Sequence, residues 1–395
     1  MNRAAGVISA LLLLSFGSTE ARSQSHVGRR LLTMPVEINH AAGMFLIDTG
    51  ANCTIIDSTF ADQLGLKPSG AVSLEQNYST GSSATVVAKH VRIGPKEWTD
   101  IQLAVQNLGT LSRIQGKPIS GVVGTDLLAS MTVRLSYSSG SAEVVDDFSD
   151  RLSLADLKRV PLKKAGGRYF VPVKIGPSFF EMLLDSGTGM TALSESAWRK
   201  LPSSWKPNGL VEGIESSGSP AGSLIACVPA LQLGDRDEHD MVLHDHPLRV
   251  IAATQSGSFA ETAFPGILGG DILERFEVTL DLQHSYLYLK LDPGFQPDPY
   301  EFVTVGIQFF KQAPDAFSVV AVWRNSPAEA AGVLVGDRIV SVSGHASADL
   351  GIDTFAGQLH GPAGKPVTLE VERATGRTFL PMKTRQLVCR SADAR

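Results

Sequence analysis

The sequence predicts a predominantly all-β protein: two tandem lobes of similar design, followed by a smaller α+β domain. Three observations predict it. An apolar run ending in a carboxylate, a hydroxyl residue and glycine occurs twice, as Phe45-Leu46-Ile47-Asp48-Thr49-Gly50 and Met182-Leu183-Leu184-Asp185-Ser186-Gly187. Composition adds 38 Gly and 21 Pro in 395 residues, which suits short strands joined by turns better than long helices. Finally, Leu291-Asp292-Pro293-Gly294-Phe295-Gln296-Pro297-Asp298-Pro299 breaks the pattern, because three prolines and a glycine cannot sit inside a core element.

The two copies stay in register well beyond the motif. Pro35-Val36-Glu37-Ile38 aligns with Pro172-Val173-Lys174-Ile175, and Asp48 with Asp185, both at a separation of 137. Ile93-Gly94 aligns with Leu233-Gly234, and Asp100 with Asp240, at a separation of 140. Gly124-Thr125-Asp126-Leu127-Leu128 then aligns with Gly269-Gly270-Asp271-Ile272-Leu273, and Val133-Arg134-Leu135 with Val278-Thr279-Leu280, at 145. A collinear order with small drift is what insertions in surface loops produce.

In chain order, strands are expected at 33–38, 43–47, 85–93 and 100–105. A short helix at 59–64 closes on Gly65, and its counterpart at 195–201 starts on a Ser194 cap and stops at Pro202. The expected division is a first lobe at 31–137, a connector at 138–167, a second lobe at 168–291, a linker at 292–299 and a C-terminal domain at 300–390. The connector is expected to hold a strand at Val144-Val145 and a helical turn at 154–158.

A net charge of −5 without a basic run argues against nucleic acid. Residues 1–21 read as a signal peptide: Arg3, an apolar stretch over 4–16, then Thr19-Glu20-Ala21 as a small-residue cleavage site. The apolar stretch is shorter than the ~20 residues that span a bilayer. Export to the periplasm or medium is expected, with membrane association only if this segment is retained. Cys53, Cys227 and Cys389 are an odd, widely spaced set. A Cys53–Cys227 bridge is conceivable, and a buried structural role is the default for Cys53.

Two matched carboxylates suit hydrolysis by an activated water. Carboxylates held about 3 Å apart cannot both ionise cheaply, so one keeps a proton; aspartic proteases are the standard illustration of this effect. The repeated motif, with Val122-Val123-Gly124 and Ile267-Leu268-Gly269 downstream, resembles the aspartic proteases in their compact retropepsin-like form. Here both half-sites are fused in one chain, as two lobes forming a pseudo-twofold pair. The resemblance implies catalysis by Asp48 and Asp185 on polypeptide substrates. Thr49 and Ser186 would cross-bond beneath the pair, Gly50 and Gly187 would form the tight turns, and Gly124 and Gly269 would complete each half-site. It implies a monomer that needs no metal and no cofactor. Asn52 stands where Ser or Asp is commoner, with Gly189 as its counterpart, while Thr54 and Thr191 keep the parallel. Flaps are expected around 77–83 and 215–222, with Tyr78 either resting on substrate or exposed. His239, His244 and His246 read as a solvated hairpin rather than a metal site.

Beyond the linker, Ser326-Pro327-Ala328-Glu329-Ala330-Ala331-Gly332, Val335-Gly336-Asp337-Arg338-Ile339-Val340-Ser341-Val342-Ser343-Gly344 and the late strand Val367 to Arg373 are similar to bacterial PDZ domains. That implies a carboxylate-binding loop at Gly306, with Ile307, Phe309, Phe355 and Leu359 lining a pocket for peptide or protein C-termini. The linker implies a separately folding, tethered module; a domain that only docks on the lobes is the other reading. A non-catalytic peptide-binding protein built on a degenerate protease pair is the functional alternative, and self-processing is a third.

Overall fold

The computed structural model describes residues 7–9, 13–14, 31–75, 80–115, 117–145, 157–205, 207–215, 220–234, 241–251, 264–300 and 302–389. Tyr78, His239, Asp240 and most of residues 1–21 lie outside them. Two pieces of the segment read as a signal are short edge strands: Val7–Ser9 pairs parallel with 73–75, and Leu13–Leu14 antiparallel with 214–215.

Each lobe is a folded sheet built from the repeated elements. In the first, Thr33–Ile38 and Ala41–Ile47 form a hairpin, and Ala41–Ile47 runs parallel to Gly121–Val123. Long hairpins stand where the flaps are expected, with residues 76–79 and 216–219 outside the described ones: Pro68–Glu75 with Thr80–Ile93, and in the second lobe Asn208–Glu215 with Pro220–Leu233. The short helices stand close to where capping chemistry puts them. Ser58–Gln63 is capped by the Asp57 carboxylate, and Glu195–Trp198 by the Ser194 hydroxyl.

The lobes are joined by a sheet that crosses the repeat. Thr132–Ser136 pairs antiparallel with Phe276–Asp281, Val133 opposite Leu280 and Leu135 opposite Val278. Val133 and Leu135 are the sequence counterparts of Val278 and Leu280, so this pairing maps onto itself when the lobes are exchanged. That is the signature of a pseudo-twofold axis. The connector is more structured than a linker. Ser141–Val144 and Lys158–Pro161 extend this sheet at its two sides, and Lys163–Ala165 joins the second lobe. Of the expected helical turn at 154–158, residues 154–156 lie outside the described ones, and Lys158 opens a strand instead. One apolar core runs through both lobes, and buried Tyr169 donates its hydroxyl to the Leu282 carbonyl at 2.8 Å.

The C-terminal domain is a sheet in the order Ile307–Ala313, Ala316–Val322, Arg338–Val342, Pro366–Arg373, Gly376–Lys383, with helices Pro327–Ala330 and Ile352–Leu359. Phe309, Phe317 and Phe355 pack ring on ring at its centre.

The expected tethered module is corrected by the packing. Phe310 and Val320 pack on apolar residues of the first lobe, while Phe302, Trp323 and Val388 cluster with Met190 and Ile225 of the second. A Cys227–Cys389 disulfide ties the end of the domain to the second lobe, and Cys53 is free and buried, so the conceivable Cys53–Cys227 bridge does not form. The linker is held as well: Phe295 lies under the Arg275 guanidinium, and Asp298 lies 3.7 Å from His360. Proline content marked the break in secondary structure correctly but carried no information about docking.

Candidate active site

Each Asp-Thr/Ser-Gly loop begins where a strand runs out beside a parallel neighbour. Ile47 pairs with Val123 and Leu184 with Leu268, and the Asp48 and Asp185 amides donate to the carbonyls of Val123 and Leu268. The chain then folds back under its own carboxylate. Gly50 and Ala51 donate N–H to Asp48 Oδ1 at 2.8 and 3.1 Å; Gly187 and Thr188 do the same to Asp185 Oδ1 at 2.8 and 3.1 Å. These two pairs of amide bonds are the same to within a tenth of an ångström, although Ala51 and Thr188 differ in sequence. The backbone turn sets this geometry.

The loops are locked to each other by the two hydroxyls, as the resemblance implied. Thr49 Oγ1 donates to the Leu184 carbonyl at 2.7 Å and accepts from the Ser186 amide at 3.0 Å. Ser186 Oγ donates to the Ile47 carbonyl at 2.7 Å and accepts from the Thr49 amide at 3.2 Å. Thr49→Ala strands a buried amide and a buried carbonyl, and should cost about 1–3 kcal/mol of stability in urea unfolding. Thr49→Ser should recover most of it, since the hydroxyl alone makes the bonds.

The glycines have a second role. A Cβ at Gly50 would sit 2.6 Å from Asp185 Cγ, and one at Gly187 would sit 2.7 Å from both Asp48 carboxylate oxygens. Each carboxylate therefore lies over the opposite glycine, which brings the pair together at the interlobe axis. Gly124 and Gly269 stand just past the parallel strands with no room for a side chain against the backbone of Cys53 and Met190.

Both aspartates are wholly buried; the carboxyls hydrogen-bond each other, and Oδ2 of each takes no hydrogen bond from any other group among the described residues. Burial pushes the Asp48 carboxyl up to about 7, against the pull of the Gly50 amide. Burial raises Asp185 well above the ordinary carboxylate range, and the neighbouring Asp48 charge raises it further. The pair titrates as a unit, and holding at least one proton at neutral pH is the state its surroundings favour.

A supporting layer lay outside the sequence-based site. Asp126 accepts from the Thr54 amide at 2.9 Å and hydroxyl at 2.7 Å, and Thr54 Oγ1 in turn accepts from the Gly124 amide at 3.2 Å. Asp271, Thr191 and Gly269 repeat this at 2.9, 2.6 and 3.1 Å. The repeat held the signal, since Thr54 with Thr191 and Asp126 with Asp271 are matched pairs. The second lobe adds His246, whose Nε2 lies 3.2 Å from Asp271 Oδ2. The solvated hairpin expected for the histidines is thus corrected at His246, which is buried, while His244 is exposed. No cluster with metal-ligating composition occurs among the described residues.

In the C-terminal domain, Gly306 has a φ of +85°, and a Cβ there would collide with Ser326. Ile307, Phe309, Phe355 and Leu359 are each at most 3% exposed and pack in the domain core. The pocket walls expected of them are thus interior residues of the strand Ile307–Ala313 and the helix Ile352–Leu359, and none of the four is an exposed surface.

Comparison with known proteins agrees with this architecture. Residues 34–127 match the family model described as aspartyl protease, and residues 318–373 match that of the PDZ domain. No curated protein matches the chain. Among solved structures, the crystal structure of basic 7S globulin from soybean is similar over 66% of this chain and 91% of its own, at 16% identity and a TM-score of 0.37. A superposition that loose carries no argument about the site. The chain therefore carries an aspartyl protease pattern at residues 34–127, a repeat of it that supplies the second aspartate, and a PDZ domain at residues 318–373.

Proposed function

We propose that this chain is an exported aspartic endopeptidase, with lobes at 31–137 and 168–291 and a PDZ domain at 300–390. Asp48 and Asp185 share one proton and activate a water against a peptide bond. The observation that carries the reading is the pair itself: two buried carboxylates on mirrored turns, each with Oδ1 fixed by two amides and, among the described residues, no donor to Oδ2 beyond the facing carboxyl. The ionised member takes a proton from the water as its oxygen attacks the carbonyl carbon. The protonated member donates to the carbonyl oxygen as it becomes an oxyanion. Collapse of the tetrahedral intermediate breaks the C–N bond, and the leaving nitrogen takes up a proton from the pair. Thr49, Ser186 and the glycines hold this geometry ready.

Three further points support the wider reading. The Cys227–Cys389 bridge suits an oxidising compartment, in line with the apolar N-terminal segment. Both half-sites come from one chain, so no second copy is required. The edge strand Ile307–Ala313 beside the helix Ile352–Leu359 suits a peptide C-terminus added as a further strand, with Gly306 at the carboxylate loop. A degenerate, non-catalytic pair has no observation in its favour, because both aspartates, both hydroxyls and both glycines are present.

The test is incubation with a mixed peptide library, with products read by mass spectrometry and the rate followed as protein is diluted from micromolar to nanomolar. Internal cleavage with constant activity per mole is expected. No internal cleavage under any condition would overturn the enzyme, and a steep loss on dilution would mean that the working site forms between chains.

A further inference from the structure

The face of the C-terminal domain that meets the first lobe does not sit on an incidental surface. Strand alternation puts Ile307, Phe309, Phe317 and Val319 into the domain's own core and turns Phe310 and Val320 outward. Gln308 pairs with Ala321 and Phe309 with Val319, so Val320 is the extra residue of a bulge, a device that re-aims a side chain. Phe310 and Val320 pack against a first-lobe cluster whose members flank Asp48 in sequence. Leu46 precedes Asp48 by two residues, Ala51 and Cys53 follow it, Val122 lies on the strand leading to Gly124, and Val72 comes from the flap hairpin.

The same hairpin reaches the other half-site. Trp323, just past the end of the strand that carries Val320, clusters with Met190, the repeat counterpart of Cys53 at the separation of 137. Strand Asn208–Glu215 of the second flap lies against Ala316–Val322. The domain thus meets equivalent points on both sides of the pseudo-twofold axis, and neither aspartate between them has exposed surface. Cys227 lies on the second strand of that flap hairpin, and its bond to Cys389 fastens the far end of the domain.

We propose that the C-terminal domain is a built-in plug of the substrate cleft: Phe310 and Val320 cover the apolar cluster beside Asp48 in the first lobe, and the Cys227–Cys389 bond latches them there. A polypeptide substrate and the plug compete for one apolar surface, so the latched chain is the slower form. What the cleft is for rests on the protease reading above; the contact does not.

Cys53 is a reporter that does not depend on catalysis. It lies in the plugged cluster, and burial holds its thiol far above the ordinary range, so alkylation requires the cluster to open. N-ethylmaleimide labelling of Cys53 is followed by mass spectrometry in an Asp48→Asn background for three chains: one otherwise unchanged, one with Phe310→Glu, and one with Cys227→Ser and Cys389→Ser together. Near-ultraviolet circular dichroism checks that each remains folded. Labelling should rise roughly tenfold or more in both variants, because a charge at the half-buried contact or a lost latch raises the open population. With Asp48 restored, peptide cleavage should rise alongside. Unchanged labelling in both folded variants overturns the plug, whatever the cleavage rate. Faster labelling with no cleavage in any chain supports the plug and instead sinks the protease reading. The two variants act at separate points, so misfolding of one leaves the other decisive.

Discussion

Asp48→Asn and Asp185→Asn should each remove nearly all cleavage, by about 10³-fold or more in kcat, and the double variant should lose little beyond either one. Neither carboxylate alone can take a proton from water and also donate one to the carbonyl, so the losses belong to a unit and do not add. The comparison is best made on the form with the highest turnover, wild type or Phe310→Glu. Additive losses, or one silent variant, would break the shared-proton mechanism. The same variants make an opposite prediction for stability. Both carboxyls are raised in the folded chain, so their contribution is fully present below the ordinary carboxylate range and is lost as pH rises through the raised values. Above pH 7 each Asn variant should therefore melt higher than the wild type, by at least about 1 kcal/mol or roughly 2–4 °C. Near pH 3 the curves should converge. A variant that loses activity and gains alkaline stability at once is hard to explain by misfolding.

The second large effect is expected at the glycines. Gly50→Ala and Gly187→Ala each put a methyl group inside the contact distance of the opposite carboxylate, at 2.6 Å from Asp185 Cγ and 2.7 Å from the Asp48 oxygens. The carboxylate must shift by a good part of an ångström, and a displacement of that size costs about 10²-fold in rate. The amide donors to Oδ1 survive the substitution, so the loss should fall on kcat. Gly65→Ala is the control: φ is +64°, nothing lies within 4 Å of its Cβ, and the residue is far from the dyad in sequence. It should cost about 1 kcal/mol of stability and leave kcat alone. Equal kinetics at Gly50, Gly187 and Gly65 would mean that the dyad has slack.

Much of this was legible in the sequence because it is written locally. The motif residues and the hydroxyls that lock them recur in matched positions, and the structure puts all of them at one axis. The aligned Val133-Arg134-Leu135 and Val278-Thr279-Leu280 even pair with each other, as symmetry requires. Asp126 and Asp271 were visible as aligned residues, but their task was not. Thr54 and Asp126 are 72 positions apart, and only the fold shows which hydroxyl each carboxylate receives. His246 misled for a similar reason. It sits in a polar run with His244 and Asp245, yet strand Val242–Ile251 turns it onto the buried Asp271.

The sequence by itself determined the strands that lead into the repeated motif, the repeat, the paired motif residues and the break before the C-terminal domain. Alternation, caps and tight turns act over a few residues, and a duplicated motif needs only itself for comparison. The tertiary structure alone decided that Cys227 pairs with Cys389 and not with Cys53, that the domain beyond the prolines is docked, and that Phe310 and Val320 pack on the first lobe. An outward-facing apolar residue on a strand looks the same in a sequence whether water, a ligand or another domain covers it. Which of these wins depends on the fit of two surfaces far apart in the chain, and no local pattern encodes that fit.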